Sequence, residues 1–310
     1  METNKDTKYY AGFDLGGSSL KYGYGNIEEG LKFFKTKNHE EKTLEALKQI
    51  LKDAYDDITN SVIDSEIKIE GLGMATPGIV NNDTVVVLGS TPNLPFLKGL
   101  NLKELLEEIT NVPVAVENDA NLMTLAESIN VQEENILGIT IGSGIGTGFV
   151  HKKRIFKGEH YKAMEAGHMI IKPNGRLCLC GKKGCVEAYS SADSMKKIIG
   201  DQFPEFKKLP INEILKLTDF RIKLILRELQ DVLAHAIANL IVVLDPGIVF
   251  IGGGIIETES YDFKYLKNQI NAFLSNDYKN FTVKKAVLGN RAGVMGGVML
   301  SHCGATASCC

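Results

Sequence analysis

The sequence has few long apolar runs, and we expect neither an export signal nor a membrane anchor in it. Its beginning, METNKDTKYYAGFDLGG, is polar and charged, without the apolar stretch and cleavage site of a secretory signal. The longest apolar stretch, AHAIANLIVVLDPGIVFIGGGII, is interrupted by Asn239, Asp245, Pro246 and three consecutive glycines. A membrane span needs about 20 uninterrupted apolar residues. We therefore expect a cytoplasmic protein that has no membrane partner and forms no stable disulfides.

An excess of basic residues is also lacking, as are the two common nucleotide-binding fingerprints. The net charge of −3 gives no electrostatic reason to expect a nucleic acid partner. No G-x-x-x-x-G-K-[ST] occurs, and no G-x-G-x-x-G opens a helix after a strand, since GSGIGTG runs into the strand-like Phe149-Val150. With 310 residues, 44% of them hydrophobic, the chain suits two globular α/β domains or lobes.

Glycine is plentiful and follows strand-like runs at three places. DLGG lies between two predicted strands, GSGIGTG lies between two others, and GGGII follows residues 248–251. The backbone N–H groups of such turns are suited to holding phosphate oxygens, although a single run is equally typical of a plain β-turn. Asp14 precedes the first run, where a carboxylate can hold a magnesium ion or its waters. The three runs together indicate a nucleoside triphosphate site.

Residues 112–127, VPVAVENDANLMTLAE, predict a short buried strand followed by a helix that starts at Asp119. Glu117, Asn118, Asp119 and Asn121 would lie at this strand-to-helix junction. Helix N-capping by Asn118 or Asp119 would explain one of these polar residues but not four. A carboxylate at this point could instead accept a proton from a substrate hydroxyl.

Three cysteines occur within eight positions, at Cys178, Cys180 and Cys185. A disulfide, a redox pair or a metal site would explain them. No Cys-x-x-Cys pair is formed, and disulfides are not expected without export. His168, ten residues upstream, is the nearest plausible fourth ligand, and Cys₃His is a standard closed set for structural zinc. The pattern favours zinc.

An ordered set of motifs resembles the ROK family of sugar kinases, within the actin-like ATPase superfamily. These motifs are DLGGSSLK, ATPGIV, TPNLPFLKG, ENDAN, TIGSGIGTG, EAGHMII, CLCGKKGCVEAY and FIGGG. The similarity is greatest to bacterial-type glucokinases, through GCVEAYSSA and TPNLPFLKGL. Ser18 stands where the family usually has threonine, which keeps the hydroxyl.

The resemblance implies a two-lobed actin-like (ribonuclease H-like) α/β fold with a central cleft and a small zinc knuckle. It implies an ATP-dependent hexose kinase that phosphorylates the 6-hydroxyl of glucose, uses Mg²⁺ and structural zinc, and has Asp119 as its catalytic base. The sugar would contact Gly78, Asn93, Asn118, Asp119, Glu165, His168 and Glu187. The nucleotide would contact Asp14, Gly16, Gly17, Ser18, Lys21, Gly142, Ser143, Gly144, Gly252, Gly253 and Gly254. Zinc would be held by His168, Cys178, Cys180 and Cys185.

For the domain organisation, we predict a smaller lobe formed by residues 1–117 with 294–310 and a larger lobe formed by 118–293. Helices are predicted over 41–57, from Asp119, over 221–244 and from Gly293, and QFPEFKKLPINE is predicted to be a linker. The resemblance also implies a homodimer or homotetramer. Three alternatives stay open: an N-acetylmannosamine or N-acetylglucosamine kinase, a kinase of another hexose, and a sugar-binding transcriptional regulator. The regulators carry an N-terminal helix-turn-helix, whereas about eight residues precede the first predicted strand here.

Overall fold

The computed structural model describes residues 7–81, 84, 86–88 and 94–304 of the chain. The chain divides into two compact units. Unit 1 comprises Met1–Val131, Val150–Ala163 and Asn290–Cys310, and unit 2 comprises Gln132–Phe149 and Met164–Gly289. Among the helices within the described residues, none is both long enough and apolar enough to span a membrane.

Unit 1 is built on a mixed five-stranded sheet with the strand order β3-β2-β1-β4-β7. Strands β1, β2 and β3 are antiparallel neighbours, whereas β4 and β7 continue the sheet in parallel with β1. Up to residue 131, the strands and helices of unit 1 are β1 (Tyr9–Leu15), β2 (Ser19–Asn26), β3 (Gly30–Asn38), α1 (Leu44–Val62), β4 (Ile69–Thr76), the short β5 (Val80–Asn81) and β6 (Val86–Val87), α2 (Leu102–Thr110), β7 (Val114–Asn118) and α3 (Asp119–Glu127).

Helix α1 illustrates how local sequence sets an element of unit 1. The Thr43 side chain accepts a hydrogen bond from the Ala46 backbone nitrogen at 3.2 Å, so the helix begins at Leu44 rather than at the predicted residue 41. Its apolar residues recur every three or four positions and pack into the unit 1 core with those of β1 and β4. The helix continues to Val62, beyond the predicted end at 57.

The C-terminal helix completes unit 1. This helix, α9 (Ala292–Cys303), packs across β1 and β4 and also contacts α3. A Cβ atom at Gly73 would overlap the carbonyl group of Gly297, so the helix backbone lies directly on the sheet backbone. Glycine is required at this crossing because no side chain fits between the two backbones.

Unit 2 contains most of a second mixed five-stranded sheet, with the order β10-β9-β8-β11-β12. Strand β9 crosses from unit 2 into unit 1, where its last two residues pair with β10. The remaining strands and helices in chain order are β8 (Asn135–Ile141), β9 (Ile145–His151), β10 (Arg154–Ile155), α4 (Glu187–Ser190), α5 (Ala192–Gln202), α6 (Ile211–Lys216), α7 (Phe220–Leu244), β11 (Ile248–Gly252), α8 (Phe263–Ala272) and β12 (Thr282–Lys285).

The two sheets share one topology. Numbered within each sheet, the strand order is third, second, first, fourth, fifth in both, with the fourth and fifth strands parallel to the first. The turn at Gly16-Gly17 joins the first two strands of one sheet, and the turn from Gly142 to Gly144 joins the first two of the other. Two predicted phosphate turns therefore occupy equivalent positions in a repeated fold.

The compact units differ from the lobes predicted from the sequence. Helix α3, which follows residue 118, belongs to unit 1 because it packs against α9. Residues 150–163 also fall within unit 1. The division at 117/118 and 293/294 stays a prediction about lobes. The predicted linker QFPEFKKLPINE contains the start of α6, which begins at Ile211.

Candidate active site

The sheet of unit 1 gathers several predicted site residues at the carboxyl ends of its parallel strands. The register pairs Asp14 of β1 with Ala75 of β4, and Ala75 in turn with Glu117 of β7. Asp14, the turn that follows β4 and the start of α3 therefore lie at one edge of the sheet. In open α/β sheets, this is the edge at which ligands bind.

Asn118 ends β7 and caps α3. Its side-chain oxygen accepts hydrogen bonds from the backbone nitrogens of Ala120 (2.9 Å) and Asn121 (3.2 Å). Its amide nitrogen donates to the Gly78 carbonyl oxygen at 3.0 Å. The cap thus joins α3 to the Gly78 turn. The amide nitrogen carries two hydrogens, so the bond to Gly78 leaves it the capacity to donate to a ligand.

Asp119 is the first residue of α3 and is half-buried. Its Oδ1 accepts a hydrogen bond from the Ala120 backbone nitrogen at 2.8 Å. The partial positive charge at a helix N-terminus favours a carboxylate at this position. The helix that Asp119 begins therefore fixes its side chain, which is still partly exposed to solvent.

The first glycine turn is held from outside by two residues that the sequence did not indicate. His39 Nε2 lies 3.1 Å from the Gly16 carbonyl oxygen, and Lys42 Nζ donates to the carbonyl of Gly17. Beside the turn, Lys21 Nζ lies 3.2 Å from Asp14 Oδ2. The turn therefore has its carbonyl groups bound from outside. Asp14 and Lys21, which were both predicted to contact the nucleotide, form an ion pair on the two strands that it connects.

The second glycine turn, in unit 2, lies beside a predicted sugar ligand. A Cβ atom at Gly144 would be 2.6 Å from Oε2 of Glu187, whereas a Cβ atom at Gly142 would meet nothing within 4 Å. The Gly142 carbonyl oxygen accepts from the Ala192 backbone nitrogen at 2.8 Å, which joins the turn to the start of α5. The two glycines thus have different roles, because only Gly144 leaves room for the Glu187 carboxylate.

His168, Cys178, Cys180 and Cys185 form a cluster that could hold a metal ion. One potential ligand atom from each lies within 4.8 Å of those of the other three. The distance between Sγ of Cys180 and Sγ of Cys185 is 3.7 Å, and His168 Nδ1 is likewise 3.7 Å from Sγ of Cys178. The chain between the histidine and the last cysteine folds back on itself, and Ile170 forms an antiparallel bridge with Cys185.

Glu187 connects this cluster to the second glycine turn. Its Oε1 lies 3.8 Å from Sγ of Cys178, and its Oε2 accepts a hydrogen bond from the Ile145 backbone nitrogen at 2.9 Å. Burial raises the pKa of the Cys178 thiol to about 12. A bound metal would favour the thiolate over the thiol there.

Glu165 lies close enough to His168 and Glu187 for their charges to act on it. Desolvation raises the pKa of its carboxyl above the usual value, His168 lowers it, and Glu187 raises it further. The three residues predicted as sugar ligands in unit 2 are thus electrostatic neighbours. Two carboxylates and an imidazole provide hydrogen-bond donors and acceptors suited to sugar hydroxyls.

The third glycine run begins at Gly252, the last residue of β11. The backbone at Gly253 has a φ of +101°, and a Cβ atom there would overlap the backbone of Ile141 at the end of β8. Gly254, in contrast, has no atom within 4 Å of a Cβ position. The run is therefore packed against the strand that leads into the second turn, and it leaves open space at Gly254.

The predicted site residues thus form one group within unit 1 and another within unit 2. In unit 1 they are Asp14, Gly16, Gly17, Ser18, Lys21, Gly78, Asn118 and Asp119; in unit 2 they are Gly142, Ser143, Gly144, Glu165, His168, Glu187 and Gly252–Gly254. Asn93 lies outside the residues that the structure describes. The sequence did not indicate His39 and Lys42, because neither belongs to a recognisable motif and their contacts are tertiary.

A comparison with protein families assigns the fold. Residues 10–303 match the sequence profile of the ROK family. The chain belongs to the ROK family. The resemblance read from the motifs is thereby confirmed, and the mixed α/β sheets are those of the actin-like ROK fold.

Relatives of this ROK protein include enzymes of two substrate classes. It is 30% identical to an N-acetyl-D-glucosamine kinase of Vibrio parahaemolyticus, over 94% of this chain and 99% of the relative. It is 29% identical to a glucokinase of Halalkalibacterium halodurans, over 94% of each. Among solved structures, the ROK hexokinase of Thermus thermophilus superposes with a TM-score of 0.83 at 26% identity, covering 95% of this chain and 98% of that one.

Proposed function

We propose that this ROK protein is an ATP-dependent hexose kinase that transfers the γ-phosphoryl group of ATP to the 6-hydroxyl of glucose. One observation carries the proposal. The half-buried Asp119 is the first residue of α3, and it lies at the same edge of the sheet as Asp14 and the first glycine turn. A proton acceptor and a phosphate-binding element are thus parts of one sheet. The relatives named glucokinase and hexokinase support the substrate class.

In the proposed reaction, Asp119 accepts the proton of the 6-hydroxyl. The hydroxyl oxygen forms a bond to the γ-phosphorus, and the bond from that phosphorus to the β,γ-bridging oxygen breaks, so ADP leaves with the electron pair. Proton transfer by a positioned carboxylate typically contributes about 10²–10⁴-fold to the rate. Asn118 and the Gly78 turn would bind the sugar beside Asp119, because a hydrogen bond already joins them there.

Glu165, His168 and Glu187 would bind the remaining sugar hydroxyls, together with Asn93. Their shared environment in unit 2 supports this. The Ile145 backbone nitrogen holds Glu187, and the charges of His168 and Glu187 act on the pKa of Glu165 in opposite directions. We place the phosphates of MgATP at the two glycine turns and its adenosine at Gly252–Gly254. Asp14 would hold Mg²⁺ or its waters, and the metal would neutralise charge on the phosphates.

We further propose that the cysteine cluster binds structural zinc. Ligand atoms about 2.3 Å from a tetrahedral zinc lie roughly 3.8 Å from one another. The two described contacts of 3.7 Å match this spacing. Three thiolates and an imidazole form a closed zinc set that leaves no position for a substrate. Because Nδ1 of His168 faces the cysteines, its Nε2 would be the nitrogen that meets a sugar hydroxyl.

The two glycines of the second turn provide a test of nucleotide placement. We expect Gly142→Ala to raise the KM for ATP by about tenfold or more, because the added methyl group enters open space where phosphate would approach the backbone. The KM for glucose should change little. Steady-state kinetics with each substrate varied in turn measures both constants.

Gly144→Ala is the matched comparison for that measurement. Its Cβ would displace the Glu187 carboxylate, so we expect this variant to raise the KM for glucose at least as much as that for ATP. A Gly142→Ala enzyme with an unchanged KM for ATP would argue against phosphate binding at this turn. Equal changes in both constants in both variants would point to general distortion of the turn.

N-acetylglucosamine is the second candidate substrate, because the two relatives with different substrates match the chain at 30% and 29% identity. The decisive experiment compares kcat/KM for glucose, N-acetylglucosamine and N-acetylmannosamine at fixed MgATP, measured by ADP release. The proposal predicts the highest value for glucose. A higher value for an N-acetylhexosamine would replace glucose but leave the kinase assignment intact, whereas no ADP release with any hexose would reject that assignment.

A further inference from the structure

Unit 1 contains an ion pair between a buried glutamate, two residues before the proposed catalytic Asp119, and a partly exposed lysine. Glu117, the fourth residue of β7, is 2% exposed, and its Oε2 lies 2.9 Å from Nζ of Lys157. Lys157 follows β10, some forty residues later in the chain than Glu117. A buried carboxylate without a compensating charge is strongly unfavourable. The positive charge of Lys157 therefore compensates the buried negative charge of Glu117.

The other oxygen of Glu117 holds the strand-to-helix junction. Its Oε1 accepts hydrogen bonds from the Asn118 backbone nitrogen at 2.8 Å and from Nδ2 of Asn121 at 3.1 Å. The Oδ1 of Asn121 is buried and has no hydrogen-bond partner among the described atoms. The bond to Glu117 therefore sets the orientation of this amide, since a flipped amide would place two oxygens against each other.

These contacts bear on Asp119 through Asn118, which precedes it, and Asn121, which follows it by two positions. Glu117 fixes the backbone of Asn118, and Asn118 caps the helix that Asp119 begins. Asn121, one turn into the helix, is bound to the same carboxylate. A shift of Glu117 would thus move both the Gly78 contact of Asn118 and the first turn of α3.

We propose that Lys157 is a positioning residue for Asp119, acting through Glu117. By neutralising the buried carboxylate, it holds the junction in the conformation that presents Asp119 to the substrate. The inference rests on the proposed function of Asp119 as the base. It gives residues 150–163, which lie between the TIGSGIGTG and EAGHMII motifs, a role in phosphoryl transfer.

The test compares Lys157→Met with Lys153→Met. Lys153 lies on the other side of β10 from Lys157 in sequence and binds near the C-terminal end of α3, where its Nζ donates to the carbonyl of Ser128 and lies 3.2 Å from that of Val131. We expect Lys157→Met to lower kcat by about 10–100-fold at saturating glucose and ATP, because misplacement of a reacting group by about 1 Å can cost 10²-fold. Lys153→Met should lower Tm similarly but keep kcat within about threefold.

Lys157→Arg keeps the charge and should restore kcat to within about tenfold of wild type. The double variant Glu117→Gln/Lys157→Met removes both charges, while the glutamine oxygen can still accept from Asn118 and Asn121. We expect the double variant to fold and to be at least tenfold faster than Lys157→Met. If Lys157→Met does not fold, the double variant decides, and a rate as low as that of an Asp119→Asn enzyme would overturn the inference.

Two results separate this inference from the proposed function. If Asp119→Asn is inactive while Lys157→Met retains the same kcat as Lys153→Met, Lys157 is only a structural tie and the positioning role is wrong. If Asp119→Asn is itself fully active, the base assignment fails, and with it the reason for positioning Asp119. Circular dichroism melting of every variant ensures that the rates refer to folded protein.

Discussion

Replacing Asp119 with asparagine is expected to reduce kcat by at least about 10²–10⁴-fold while leaving the affinity for glucose within a few-fold of wild type. The substitution keeps the shape of the side chain, and the amide oxygen can still accept from the Ala120 backbone nitrogen as the carboxylate does at 2.8 Å. The substitution removes the negative charge, and with it the capacity to take the hydroxyl proton. Single-turnover rates and glucose titration of the same preparation measure the two quantities separately.

Asp219→Asn is a matched control for the loss of an acid at a helix N-terminus. Asp219 caps α7 in unit 2, where its Oδ1 accepts from the Arg221 backbone nitrogen at 2.8 Å, and it belongs to none of the predicted site segments. We expect this control to lose a little stability and to keep its kcat. An Asp119→Asn enzyme with more than about a tenth of the wild-type kcat would make the base assignment untenable.

Strand-turn-strand units were predictable from the sequence because their signals are local. The turns at Gly16-Gly17 and Gly142–Gly144 lie between β1 and β2 and between β8 and β9, as predicted. The α7 helix spans Phe220–Leu244, one residue longer than predicted, because its apolar periodicity is strong and Asp245 stops it in a left-handed conformation. Asp119 likewise begins α3, as predicted. Of the two N-cap candidates in the sequence, Asn118 and Asp119, Asn118 is the cap.

The contacts that orient the site were not predictable, because they join residues distant in sequence. Neither Lys157 nor Ile145 is a candidate by residue type, yet one compensates Glu117 and the other holds Glu187. Gly144 shows a similar limit. The sequence suggests a phosphate contact there, whereas the backbone geometry shows that a side chain would strike Glu187. Spacing predicts which segments meet but not where a Cβ atom would point.

The cluster of His168, Cys178, Cys180 and Cys185 lies between these two cases. The spacing of the three cysteines predicted a metal site, and the structure brings His168 to them across ten residues of chain. The position of Glu187 against both Cys178 and the Ile145 backbone could not be read from the sequence. The cluster is therefore joined, through one carboxylate, to the turn at Gly144.

We expect Cys185→Ser to reduce both zinc content and glucose affinity, the latter by about 10–100-fold. Cys185 is fully buried, and its Sγ lies 3.7 Å from that of Cys180. Serine is nearly isosteric but is a poor zinc ligand, so the His168 ring loses the bond that would orient its second nitrogen. The KM for ATP should rise less, because the Ile145 backbone bond holds Glu187 near Gly144 without the metal. Metal analysis with glucose and ATP titrations measures all three quantities.

A stability control separates loss of zinc from general loosening of unit 2. Ile237→Val removes one methylene from the buried face of α7, at about 0.5–1.5 kcal/mol, and Ile237 is not one of the predicted site residues. It should keep zinc and glucose affinity although its Tm falls. Part of the binding energy of a structural zinc is folding energy, so Cys185→Ser should lose more Tm than this control. A zinc-free Cys185→Ser protein that bound glucose as tightly as wild type would leave the cluster with a purely structural role, because orientation of His168 would then contribute nothing to sugar binding.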